Sequence, residues 1–448
     1  MYEMMKRISC LLLTLVLGTG VMADEKVEVD PVLFSRDIAS LLQENCLACH
    51  GPKKAEGGYR VDTFAELVKP GDSGEVPVPH GEQVGEELLR RLVTDDESER
   101  MPAELEPLQK EEIELVRRWI AEGAKFDGPS PAMPLFLVAP PRQFAPAPQS
   151  YAHPVPVTAL VFTPDGQQVV SGGYHELIVW DAITGALVRR IGNLGQRIFS
   201  LAFDETGATL AVACGEPGIA GEIRLIDWQS GNVVSVLARC GDSTLDVAFR
   251  PASDQLAAAA ADGSIRIVDW KTGMEVRTIA SHADAVTAIA WSGDGKRLAS
   301  ASRDKSSKVF DVETGDLLAS YAGHAAAVRG VAMTTDGLQV ISVGGDNKLH
   351  RWEVEGAKKI AEVGLGGEAH RLVQHQDQIW IPCADHRVRR FDLSNNAIAL
   401  TLEGHQDWVL SVAWSGTTGT VASADYAGQV KVWNAADWTA KQSWIAKP

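Results

Sequence analysis

Cysteine is scarce in this chain, with six among 448 residues. Cys10 lies in the N-terminal apolar run, Cys46 and Cys49 lie three positions apart, and Cys214, Cys240 and Cys383 are scattered over the remainder. The last three allow at most one bridge among themselves. Cys214 with Cys240 is the pairing an oxidising compartment would permit, with two buried free thiols as the other outcome, because geometry decides. Cys383, in Pro382-Cys383-Ala384-Asp385, then stays unpaired and structural. Positive charge is short as well: 42 Lys and Arg face 59 Asp and Glu, a net charge of −17, which argues against a nucleic-acid partner. No segment beyond the N-terminus is long and apolar enough to cross a bilayer. No acid, base and nucleophile converge at a spacing that points to catalysis.

What is present divides the chain into parts. Residues 1–23 read as a secretory signal peptide. Lys6 and Arg7 precede an apolar stretch from Ile8 to Leu17, and Val21-Met22-Ala23 places a small residue at the cleavage point. A retained anchor is the alternative. Residues 24–128 hold 25 acidic and 13 basic residues, a net of −12, which suits a partner with a basic docking face or serves solubility alone. Residues 129–150 form a Pro/Ala-rich linker, including Pro140-Pro141 and Pro146-Ala147-Pro148. Residues 151–448 carry repeated short β patterns.

Within 24–128 the most informative residues are Cys46-Leu47-Ala48-Cys49-His50. C-x-x-C-H is the attachment signal of a c-type haem. Each thiol can form a thioether to one porphyrin vinyl group, and His50 then supplies the proximal iron ligand. The same thiols without haem could serve disulfide exchange or half a zinc site. Apolar residues at Leu33, Ile38, Leu41 and Leu42 recur at helical spacing ahead of the motif, and a second helix is expected over Lys110–Glu122. Its stripe is Ile113, Val116, Trp119 and Ile120, with Leu115 beside it, its early turns are acidic, and Gly123 ends it. A third helix includes Glu86–Leu92. Between the last two, Met101 stands in a polar run, awkward as ordinary core. Its thioether is a soft ligand suited to the distal face of the iron, with Pro102 stiffening the loop. His80, in Val78-Pro79-His80-Gly81, is the competing ligand, and a Met101 packed without ligation is the plain alternative.

Cys46-Leu47-Ala48-Cys49-His50-Gly51, Glu99-Arg100-Met101-Pro102 and Glu111-Glu112-Ile113 with Arg117-Arg118-Trp119-Ile120 together resemble the small cytochrome c domains of planctomycete secreted proteins, over roughly residues 32–126. The resemblance implies a small all-α domain with terminal helices crossing beside one covalent haem c. Cys46 and Cys49 would hold the haem, His50 would be proximal and Met101 distal, so the metal ligands are His50 and Met101. The family commonly has two prolines after that methionine, whereas this chain has Pro102-Ala103.

Seven segments then repeat at close to forty residues, the period of a four-stranded propeller blade. Their third strands end at Val179-Trp180-Asp181, Leu225-Ile226-Asp227, Ile267-Val268-Asp269, Val309-Phe310-Asp311, Arg351-Trp352-Glu353, Arg390-Phe391-Asp392 and Val432-Trp433-Asn434. Thr163-Pro164-Asp165-Gly166, Ser292-Gly293-Asp294-Gly295 and Ala261-Asp262-Gly263-Ser264 mark tight turns. His324, Ser342, Asp346 and Trp352 stand where a buried hydrogen-bond chain would join turn to strand. Because the set recurs, with His282 and Asp304 and with His405, bracing is favoured over hydrolysis. This half resembles a seven-bladed, all-β WD-repeat propeller. Tyr174 replaces the usual turn Asp in the first blade, Cys214 and Cys240 occupy pattern positions in the second, and the last has Ala427 at the usual Asp position with Asp425 displaced. Either a strand near Lys441–Ile445 or one over Leu135–Ala139 could close the ring.

The leading functional expectation is an exported, periplasmic or envelope-associated c-type haem protein that transfers electrons to or from a redox protein partner, with the propeller as a docking scaffold. One alternative is a haem-dependent oxidoreductase with a substrate site on the propeller. Another is an envelope scaffold with a sensory or structural haem.

Overall fold

The computed structural model describes residues 30–448 except 53, 104, 105, 141, 142, 241 and 435. The expected signal peptide and Cys10 lie outside the described residues. A small helical region precedes seven four-stranded sheets. No helix among the described residues is long and apolar enough to cross a membrane.

The helical region starts with a π-helical turn, Phe34–Ile38, running into α1, Ala39–Asn45. A single turn, α2, spans Phe64–Leu67, α3 spans Glu87–Val93 and α4 spans Lys110–Ala121. The Glu112 carboxylate accepts the Gln109 N–H at 2.7 Å and so satisfies one donor at the start of α4. Gly123 turns left-handed beyond its end, at φ 97°. Val116, Trp119 and Ile120 are buried, while Ile113 and Leu115 lie at the margin. Phe34 is fully buried where the chain's first helical turn meets α4. Its ring centroid lies 5.5 Å from Trp119, 5.0 Å from Phe64 and 5.5 Å from Phe126. Polar clasps hold the same crossing: Val32 N–H to Glu122 at 2.9 Å, and the Ser35 hydroxyl to Asp127 at 2.6 Å.

Leu135–Ala139, one of the two candidate closing strands, holds instead a helical turn, α5, over Leu135–Val138. Pro134 precedes it, where a missing N–H costs nothing, and Leu135, Val138 and Ala139 are buried in the helical core. The backbone of this segment is tied to the same region, by Ala65 N–H to Pro131 O and Leu135 N–H to Asp62 O, both 2.8 Å. Residues 144–151 face the other way. Phe144 donates its N–H to Asn193 at 3.0 Å and stacks on the Arg224 guanidinium at 4.5 Å. Arg190 donates to Gln149 O at 2.9 Å. The proline-rich stretch is thus divided between the two folds.

The blades span 160–191, 197–240, 244–279, 286–321, 328–364, 373–402 and 409–445, and each is built from four consecutive strands. All seven expected third-strand ends are third strands. The carboxylate that closes most of them has a local task. Asp181 accepts the N–H of Thr184 at 2.8 Å, as Asp227 does from Ser230 and Asp269 from Thr272, and this fixes the next turn. In the first tight turn Thr163 and Gln167 both donate to Asp165, and Gly166 takes φ 71°, where a side chain is disfavoured.

No strand is exchanged at closure. Ala440–Ile445 is the outer strand of blade 7, and the ring shuts through packed side chains and a few hydrogen bonds. Val157, Leu160, Phe162 and Trp180 of the first blade pack with Ala413, Ala422, Val430 and Val432 of the last. The Ser411 hydroxyl donates to Val157 O, and the Gln442 amide to Thr184 O, each at 2.8 Å.

Of the two outcomes open to Cys214 and Cys240, the bridge is not formed; both are free thiols, Cys214 buried and Cys240 half-buried. Cys214 pairs with Glu222 and Cys240 with Gly221, so the strand Ala220–Asp227 lies between them. Two strand spacings are about 10 Å, beyond the reach of a disulfide. Burial pushes the Cys214 thiol up to about 12 and the Cys383 thiol to about 11.

Candidate functional site

α1 delivers the thiols. Its last turn widens at Cys46, whose N–H and that of Leu47 both reach Leu42 O, at 3.0 and 3.1 Å. The chain continues in a turn, with Cys49 N–H to Cys46 O at 3.2 Å and His50 N–H to Cys46 O at 2.9 Å. One turn of backbone thus carries both cysteines and brings His50 back beneath the first. Gly51 is required here, since a Cβ would come within 2.7 Å of Leu47 O. Both cysteines are free and half-buried. Burial first, and then the adjacent Cys49, push the Cys46 thiol up to about 12.

His50 is half-buried, with Nδ1 3.3 Å from Tyr59 O. A carbonyl only accepts, so Nδ1 donates in this bond, and Nε2 is the ring nitrogen left to face a metal. Two free thiols and an imidazole oriented through Nδ1 are the donor set that a covalently attached haem would use.

Met101 comes from a different element. It is half-buried on the loop after α3, with its N–H donated to Arg91 O at 2.9 Å. Ion pairs hold that loop to α3: Arg90 reaches Glu87 at 2.6 Å and Glu99 at 2.5 Å, and Arg91 reaches Glu87 at 2.7 Å. The Arg90 guanidinium, with help from Arg91, holds Glu87 down to about 2. His80 is exposed, with its ring edge-on to Phe64 at 5.8 Å, the plain surface role.

The Ser-His-Asp sets of the propeller are braces. His282, His324 and His405 each join a carboxylate through Nδ1 (Asp304, Asp346, Asp425) and a serine through Nε2 (Ser300, Ser342, Ser423), at 2.7 to 2.9 Å. All three serines are fully buried, away from any substrate. The expected fourth link differs. Trp433 donates to Ser423 at 2.8 Å, but Trp352 Nε1 is buried without a hydrogen-bond partner, and its ring stacks on Tyr321 at 5.0 Å. The displaced Asp425 completes the chain in the last blade. His350 joins His324 and Asp346 in the one cluster of metal-ligand type among the described residues. Its ring lies parallel to His324 at 4.1 Å, and both His324 nitrogens are already bonded, so stacking accounts for it.

Two features had escaped the sequence. In the first blade Glu176, buried beside Tyr151, takes an ion pair with Arg190 at 2.6 Å in place of the turn aspartate. Across the central opening Arg371, before blade 6, reaches Asp246 on blade 3 and Ser200 on blade 2, each at 2.6 Å. Arg371 also lines a cavity of about 200 Å³ with Thr158, Ser411 and Trp414.

Residues 46–104 match the family model for planctomycete cytochrome C. Residues 147–181, 273–311, 315–353 and 397–434 match the WD domain, G-beta repeat. The chain is 32% identical over 115 residues to telomerase protein component 1 of Mus musculus and 29% identical over 115 residues to that of Rattus norvegicus, in each case over 25% of this chain and 4% of the relative. Coverage that short carries no activity to this chain. The chain joins an N-terminal planctomycete-type cytochrome c domain to a seven-bladed WD-repeat propeller. Cytochrome c domains carry electrons rather than catalyse, and the propeller provides a surface for protein docking.

Proposed function

We propose that this chain is an exported c-type haem electron-transfer protein of the periplasm or cell envelope, with the propeller docking it to a redox protein partner. Cys46 and Cys49 would hold one haem c through thioethers, and His50 and Met101 would ligate its iron. The haem supplies reversible one-electron exchange between the ferric and ferrous states. The protein's part is to orient His50 through Tyr59 O and keep the Met101 loop against α3. The observation that carries the reading is the His50 Nδ1 bond to Tyr59 O beside two free thiols in the same turn. We place the haem domain at 24–128, the linker at 129–150 and the propeller at 151–448, with residues 131–139 packing on the haem domain.

The test is to export the full chain with haem-attachment machinery and measure its mass after denaturation, with reduced and oxidised spectra. Retention of one porphyrin mass and a c-type reduced spectrum are expected. Cys46→Ser with Cys49→Ser should abolish the mass increment. Met101→Ala should keep the covalent haem but lose the near-infrared band of methionine ligation. Native export without porphyrin would overturn the proposal, and an unchanged axial spectrum in Met101→Ala would overturn that ligand.

A further inference from the structure

The grip on His50 has a second layer. Tyr59 accepts from His50 Nδ1 through its backbone carbonyl and sets its ring edge-on to the imidazole, centroids 5.5 Å apart. Its side-chain hydroxyl donates to Leu67 O at 3.0 Å, at the end of α2. The phenol is half-buried against the helical core. On its other side Gly71 passes so close that a Cβ there would lie 3.0 Å from Tyr59 Cβ and 2.6 Å from Gly57 O. His50 O in turn accepts the N–H of Val61 at 2.8 Å, two residues on. The carbonyl that orients the imidazole is therefore held at its residue's hydroxyl end by α2, at its back by Gly71, and downstream by His50 itself.

We infer that Tyr59 is a positioning residue that sets the electron affinity of the site through His50. This rests on the haem reading above. A hydrogen bond from Nδ1–H makes an imidazole a stronger donor through Nε2, and a stronger donor favours the ferric state. At 3.3 Å the bond is long, so small displacements of the Tyr59 carbonyl change it steeply. The hydroxyl on Leu67 keeps that carbonyl from drifting away, and the absence of a side chain at Gly71 keeps it from being pushed.

The experiment uses the full chain with haem attached. In Tyr59→Phe the ring and backbone remain and only the anchor on Leu67 is lost. The midpoint potential should rise, and the ferric low-spin signals should shift in electron paramagnetic resonance, while haem mass and the methionine band stay as in the parent. Gly71→Ala, which keeps the hydroxyl but presses on Tyr59, should also move the potential. A third variant, Tyr151→Phe, removes a buried, hydrogen-bonded phenol from the propeller and should leave the potential alone. If Tyr59→Phe and Gly71→Ala both hold haem at the parent potential, the role of Tyr59 falls while the haem reading stands. If the parent itself carries no porphyrin, the haem reading falls first.

Discussion

Single residues of the propeller are held against their ordinary chemistry. His350 and His370 are both pushed down to about 4, chiefly by burial. His350 is further lowered by the parallel His324 ring, and His370 Nε2 has no hydrogen-bond partner. Each is neutral when folded and takes up a proton near pH 6.5 when unfolded, so the unfolded chain binds more protons between about pH 6.5 and 4. Stability is therefore full above pH 6.5 and falls as the pH drops through that window, by about 1.4 kcal/mol for each unit of depression. Carboxylates such as Glu87, held at about 2, release their contribution only at lower pH. Urea melts at pH 7, 6 and 5 should show the loss, and His350→Gln should flatten it; an equally steep limb in that variant would falsify the assignment. Sequence reading found the motif residues because attachment chemistry demands fixed types at fixed spacing. It could not find Tyr59, whose part is played by a backbone carbonyl that any residue possesses.

Elements show where a repeat is strict and where it drifts. The braces of the fifth and seventh blades have the same serine, histidine and carboxylate, yet only Trp433 closes the chain, while Trp352 lies flat on Tyr321 with its N–H unpaired. Replacing either tryptophan by phenylalanine removes similar volume. Trp433→Phe also loses a buried hydrogen bond, so it should destabilise by about 1 kcal/mol more than Trp352→Phe. Equal shifts of the denaturant midpoint at constant m would contradict the difference. The period and the strand ends were legible because each blade needs the same alternation and the same carboxylate-capped turn. The brace in the first blade was not legible, because Glu176 and Arg190 come from positions outside the repeat pattern and meet only through the fold. The strand expected over 135–139 failed for a related reason: a short apolar run suits strand or helix alike, and packing against the helical core decided it.

At the scale of the whole molecule the ring is tied in two ways, by the apolar seam between the first and last blades and by one ion pair across its centre. Asp246 is fully buried, with Ser200, the N–H groups of Val247 and Ile289, and Arg371 all donating to it. Burial raises its carboxyl above the usual carboxylate range, and Arg371 is the largest opposing influence. Removing that partner leaves a buried carboxylate uncompensated, a change worth about 3 kcal/mol when one partner keeps some contact with solvent. Arg371→Met should lower the propeller's unfolding free energy by about that amount, and Arg371→Met with Asp246→Asn should recover part of it. Additive losses in the double variant would show that the two residues are not coupled.

The sequence by itself determined the haem-attachment motif, the helical and β halves, and the count of seven blades. Each of these depends on residue types at short, fixed intervals, where local geometry leaves little choice. Only the tertiary structure decided that Cys214 and Cys240 stand a strand apart, that the ring closes without exchanging a strand, that Arg371 reaches Asp246 across the opening, and that Tyr59 orients His50. Those are contacts between groups distant in sequence or borne by the backbone, and no spacing rule records them.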